Sequence, residues 1–144
     1  MLFPTLDKDQ RRILQMLRKS GPLSRSALAS ALEISGTALT RLSRDLIGLN
    51  LVEEVPGAEA QGRWRPAIPL RLAGHGGYAV GATAHKGFID IALVDFTGAT
   101  IATHHEAVAP IDPQGFARKV RRMTHELVDR HGLLGRRMLG LGVA

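Results

Sequence analysis

LSRSALASALEISGTALTRLSRDLIGLNLVEE, residues 23–54, and QGRWRPAIPLRL, residues 61–72, are the stretches on which the fold turns. Ser24 is an N-cap residue, so a short helix begins at once, with Ala27, Leu28, Ala31 and Leu32 as its expected buried face and Leu23 placed to staple onto Leu28. Glu33-Ile34-Ser35 reads as a turn, and Ser35 caps a second helix running to about Leu49. On that helix Leu39, Leu42, Leu46 and Leu49 recur at helical spacing and share one side. At about 100° per residue, Thr37, Arg41 and Arg44 then cluster on the opposite side, with Thr40 on the flank.

Beyond the helices, Leu51–Val55 reads as a strand, residues 56–61 as a loop and Ala67–Leu72 as a return strand with Ile68, Leu70 and Leu72 alternating. Arg63-Trp64-Arg65 sits at the tip, between Gly62 and Pro66. Two helices, a polar turn and a basic hairpin in that order form a device for docking on duplex DNA. Arg41 and Arg44 suit guanine edges or phosphates, and Thr37 and Thr40 suit a phosphate or a thymine methyl. Ser24, Arg25 and Ser35, at the helix starts, are expected to meet the DNA backbone. Arg63 and Arg65 suit a narrow minor groove, while Trp64 is too large to enter one and is expected to pack on the hairpin or a sugar edge. A solvated charged face and an ordinary hairpin tip are the plain alternatives at these positions. The helix order favours the interface.

Upstream, Asp7 with Gln10 predicts a capping box opening a helix to Lys19, with Ile13, Leu14 and Leu17 inward, stopped by Ser20-Gly21-Pro22. Downstream, residues 73–77 read as a linker. Strands are expected at Tyr78–Ala84, Phe88–Val94 and Ala99–Val108, with a type I turn at Asp95-Phe96-Thr97-Gly98. Asp112-Pro113 starts a helix with Phe116, Val120, Met123 and Leu127 on one face, and Met138–Ala144 is a further strand.

The 144 residues are 44% hydrophobic and 22% charged, the balance of a folded chain. No apolar run spans a bilayer, no signal peptide opens the chain, and the absence of Cys excludes disulfides and thiolate metal sites. A cytoplasmic protein with no membrane partner is expected. The net charge is +6, and residues 1–75 hold 11 Lys/Arg against 7 Asp/Glu while residues 76–144 hold 8 against 6. That excess favours polyanions.

Taken together, these stretches resemble the ROK family of sugar-responsive repressors and sugar kinases. Residues 23–54 look like its winged helix, and QGRWRPAIPLRL looks like its wing, where an RGRP-type sequence is usual. GYAVGATAHKGFIDIALVDFTGATIA, residues 77–102, is similar to the first hairpin of its sugar-kinase-like domain. The resemblance implies an α/β (α+β) chain. Its parts are a winged helix-turn-helix DNA-binding domain over residues 1–72, a linker at 73–77 and a partial actin-like, ribonuclease H-like β-β-β-α-β domain over 78–144.

Two positions depart from the family pattern. Glu33 stands where Gly is frequent in the turn, and Trp64 stands where a small residue is common. In the kinases of this family a DxGGT-type loop holds ATP phosphates. Here Thr83 takes the Asp position and His85-Lys86 replaces the paired glycines. The adjacent His104 and His105 point to opposite faces of a strand and cannot chelate one ion together. The expectation is therefore no catalysis, no cofactor and no metal. LGLGVA stops in mid-strand and reads as a fragment whose sheet edges should associate.

The function implied is a sequence-specific transcriptional regulator, a homodimeric repressor of sugar-metabolism genes on a double-stranded DNA operator. A sugar or sugar-phosphate effector is expected only in a longer parent. The rival readings are a sugar kinase with an added N-terminal domain and a winged-helix protein-interaction module.

Overall fold

The computed structural model describes residues 3–55 and 67–144. Within them the chain divides into two compact units, Pro4–Gly76 and Gly77–Ala144 together with Phe3, and the architecture is mixed α/β.

The first unit opens with α1 (Lys8–Ser20). Asp7 Oδ1 accepts from the Gln10 amide at 2.8 Å, and Gln10 Oε1 accepts from the Asp7 amide at 3.0 Å, so the expected capping box is formed. Gly21 ends the helix at φ 74°, its N–H donating to Leu17 O at 3.0 Å. Ile13 and Leu17 are buried, and Leu14 is half-buried. Arg12 crosses to the end of the next helix, donating to Leu32 O at 2.8 Å.

Then come α2 (Arg25–Leu32) and α3 (Gly36–Gly48), whose N-cap serines accept from Ala27 N–H at 3.1 Å and Ala38 N–H at 3.2 Å. Leu28 and Leu32 bury α2, but Ala27 and Ala31 are exposed. With only eight residues, α2 presents a two-leucine stripe, narrower than the four-residue face expected from the sequence. Leu39, Leu42 and Leu46 bury α3, and Leu49 falls outside the helix as its C-cap.

Between α2 and α3 the chain reverses through Glu33, which sits in the left-handed region at φ 54°, ψ 44°. A Cβ there crowds the following carbonyl, and glycine avoids that cost.

Two short antiparallel strands close the unit: β1 (Val52–Glu54) and β2 (Leu70–Leu72), with Val52 opposite Leu72. Both are shorter than expected, and residues 67–69 precede the ladder. Leu23 adds a single bridge to Leu70, with N–H···O bonds of 3.0 and 2.8 Å in the two directions. The residue ahead of α2 is thus tied to β2 through its backbone. Residues 73–77, read as a linker, hold a fully buried Ala73 and a 3₁₀ turn at Gly74–Gly76.

The second unit holds β3 (Tyr78–His85), β4 (Phe88–Asp95), β5 (Thr100–Ala107), α4 (Pro113–Arg130) and β6 (Met138–Val143). The sheet order is β5-β4-β3-β6, with β6 parallel to β3 and the other pairs antiparallel. Lys86 and Gly87, both at positive φ (46° and 82°), turn β3 directly into β4. That two-residue form matches the natural twist of a hairpin. At the next turn Gly98 N–H donates to Asp95 O at 3.0 Å. Asp112 caps α4 with Pro113 at its first position.

Alternation along the strands sends Val80, Ala82, Ile89, Ile91 and Leu93 to one face, where Val120, Met123, Leu127 and Val128 of α4 cover them. Each such large side chain contributes about 1.5–3 kcal/mol when buried.

A polar strap joins α4 to β5. Half-buried Glu106 accepts from Lys119 Nζ at 2.9 Å and Arg122 Nη2 at 2.8 Å, and Arg122 also holds Glu126 at 2.9 Å. The Lys119 and Arg122 hydrogen bonds, in that order, pull the Glu106 carboxyl down from 4.5 to about 2.

Two outcomes follow from these features. Glu33→Gly should raise stability by about 1 kcal/mol in urea denaturation, since it removes left-handed strain. Because the folded pKa of Glu106 is depressed, its contribution is present in full above pH 4.5 and disappears as the pH falls towards about 2. Glu106→Gln should therefore flatten that part of the acid-unfolding profile relative to wild type.

Candidate nucleic-acid interface

The physical basis of the interface is the two-sidedness of α3. Its leucine side is fixed in the core, so the opposite side is held outward on a rigid element. Gly36, Thr37, Thr40, Arg41 and Arg44 line one shallow concavity there, and all five are exposed. Thr40 Oγ1 donates back to Gly36 O at 2.9 Å, which leaves its methyl group turned from that bond. Arg41 lies 3.5 Å from Asp45, one turn on, in an exposed pair. Arg44 makes no ion pair with another described residue. The concavity therefore offers two guanidinium groups, one lightly restrained, beside two hydroxyls on a fixed helical frame.

The other expected contacts sit differently. Ser24 and Ser35 spend their hydroxyls on capping α2 and α3, and Ser24 Oγ also lies 3.1 Å from Ser26 Oγ. Both remain at helix N-termini, where backbone N–H groups and the helix dipole favour anions. Arg25 is half-buried and turned inward: its Nε donates to Ser43 Oγ at 3.3 Å and its Nη2 reaches Glu54 Oε1 at 2.8 Å. Arg63, Trp64 and Arg65 lie outside the described residues. The structure thus brings Thr37, Thr40, Arg41 and Arg44 together and sets Arg25 apart from them.

Ser43 was not singled out by its sequence. It is fully buried, donates to Thr40 O at 3.1 Å and receives Arg25. The available signal was a hydroxyl on the flank of the leucine stripe, where a polar group requires a partner. Glu54 gave none, being one of two adjacent glutamates in a short strand. Glu53 pairs with Arg71 across the ladder at 2.7 Å, and Glu54 goes to Arg25.

In the second unit, Asp90 and His105 meet at 2.5 Å on the sheet face away from α4, with the His105 ring stacked on Phe88 at 4.5 Å. His104 approaches Glu106 at 3.6 Å.

No family model matches the chain. An uncharacterized protein of Sinorhizobium fredii, y4fQ, is 24% identical over 144 residues, which is 99% of this chain and 36% of that protein. The DNA-binding transcriptional repressor Mlc of Escherichia coli is 24% identical over 97 residues, 67% of this chain and 24% of Mlc. Among solved structures, a ROK family transcriptional regulator, a homolog of E. coli Mlc, superposes with a TM-score of 0.68 at 22% identity. That superposition covers 94% of this chain and 34% of the regulator's. The chain thus spans about a third or less of the length of the proteins it matches. Within that third, it resembles Mlc in sequence and shares the fold of a ROK family transcriptional regulator.

Proposed function

We propose that the chain is the DNA-binding part of a transcriptional regulator of the Mlc type, a sequence-specific repressor of sugar-metabolism genes. The observation that carries this reading is the gathering of Thr37, Thr40, Arg41 and Arg44 on the outward face of α3. On this reading Pro4–Gly76 is a winged helix-turn-helix, α3 lies in the major groove and α2 braces it against the backbone. Ser24 and Ser35 bring helix N-termini to phosphates, and the Arg63-Trp64-Arg65 hairpin secures the neighbouring groove. The net charge of +6 supports the attraction to DNA. A dimer would place two copies of α3 on an inverted repeat, about one helical turn apart.

The second unit is the opening of a sugar-kinase-like domain and carries no catalysis. Support comes from the β3–β4 turn: two residues, Lys86 and Gly87, connect strands paired as far as His85 and Phe88. His85 and Lys86 stand where the kinases' loop has paired glycines that let backbone approach phosphate, and Thr83 supplies no carboxylate for a metal-nucleotide. A sugar or sugar-phosphate effector belongs to a longer parent protein. The site of action is the cytoplasm.

The test is selection of duplexes from a random pool by the wild-type chain, followed by titration of variants. Arg44→Ala and Arg41→Ala should each cost ~1–3 kcal/mol on the selected duplex if the side chain reads a base. Unchanged affinity for both variants would refute the α3 face as the reading surface. Removing Arg63 or Arg65 should reduce the dependence of log K on log salt by about 0.9 for each phosphate that is no longer neutralised.

A further inference from the structure

We infer that Arg25 is a positioning residue for the α3 reading face, and not itself a phosphate contact. The inference rests on the DNA-binding reading above and concerns how that face is aimed. Arg25 begins α2, and its half-exposed guanidinium joins that helix to two further elements. Its Nε donates to Ser43 Oγ of α3 at 3.3 Å, and its Nη2 pairs with Glu54 Oε1 of β1 at 2.8 Å. Ser43 is fully buried and passes the connection on, donating to the main-chain carbonyl of Thr40 at 3.1 Å. Thr40 belongs to the exposed concavity with Arg41 and Arg44. One guanidinium therefore ties the bracing helix, the backbone beneath the reading face and β1.

The geometry suits Arg and no other cation. Its planar fork supplies separate donors to a hydroxyl and a carboxylate in fixed directions, whereas a Lys ammonium is a single point charge on a flexible stem. Exposed ion pairs add little to global stability. Arg25 and Glu54 are both partly solvated, with side-chain exposures of 33% and 47%, so the pair's value lies in orientation. A helix seated in a groove loses its base contacts if it rolls by a fraction of a turn, while its attraction to phosphates in general survives. Arg25 thereby acts on discrimination among sequences more than on attraction to DNA.

The two possible roles predict opposite signs for one substitution. Glu54→Gln removes a negative charge and releases Arg25. If Arg25 held a phosphate, the released side chain would bind DNA more tightly. If it positions α3, the selected duplex binds more weakly and a scrambled duplex does not.

The experiment titrates wild type, Arg25→Gln, Arg25→Lys, Glu54→Gln and the double variant against the selected and a scrambled duplex over a range of salt, with thermal melts to establish folding. The expected result is roughly a five- to tenfold loss on the selected duplex for each single variant, Arg25→Lys included. Affinity for the scrambled duplex and the salt slope should be preserved, and the double variant should be no worse than either single one, as for residues acting as a unit. A slope lower by about 0.9 in Arg25→Gln, or tighter binding by Glu54→Gln, overturns the inference and makes Arg25 a phosphate contact. Equal losses on both duplexes overturn it in favour of a merely structural role. Failure of the wild type to select any duplex overturns the DNA-binding reading and this inference with it.

Discussion

The burial of Leu39, Leu42 and Leu46 on one side of α3 is the constraint from which the first unit follows. A helix with three leucines at 0–2% exposure cannot roll without bringing them into water, at about 1.5–3 kcal/mol each. The outward side is thereby fixed in direction as firmly as the inward one. The common aim of Thr37, Arg41 and Arg44 comes from the leucines on the other side of the helix. The caps at Ser24 and Ser35 set where the helices begin, and the left-handed turn at Glu33 sets the angle between them.

The second unit obeys a similar constraint with a sheet in place of a helix. Period-two alternation delivers Ile89, Ile91 and Leu93 to a single face, and α4 covers it with Val120, Met123 and Leu127. The opposite face carries Thr83, Asp90 and His105 at matched register on three neighbouring strands. Where a glycine-rich loop is the usual means of bringing backbone to phosphate, this chain has a two-residue turn. In that turn Gly87 O accepts from Val108 N–H at 2.7 Å, tying the chain beyond β5 to the hairpin.

Much of this was legible in the residues because short-range chemistry decided it. The Asp7/Gln10 capping box, the serine caps, the Asp112-Pro113 start and the Asp95–Gly98 turn each depend on neighbours within four positions. Less is legible where distant partners decide. Ala27 and Ala31 have the polarity of core residues, yet a helix of eight residues facing few neighbours leaves them outside. Leu23 also makes a backbone bridge to Leu70, far along the chain, which no local pattern announces. Arg25 has the composition and position of a phosphate ligand. Only three-dimensional proximity to Ser43 and Glu54 reveals where its guanidinium goes.

The Leu23–Leu70 bridge has a bearing on the order in which the first unit assembles. α1, α2 and α3 each close hydrogen bonds over four residues, so they gain stability locally and early. The bridge joins segments on either side of all of α2 and α3, and it repays its loop-closure entropy only once those helices have packed. The tie between Leu23 and Leu70 therefore closes after the helices it spans, and it draws the start of α2 onto β2.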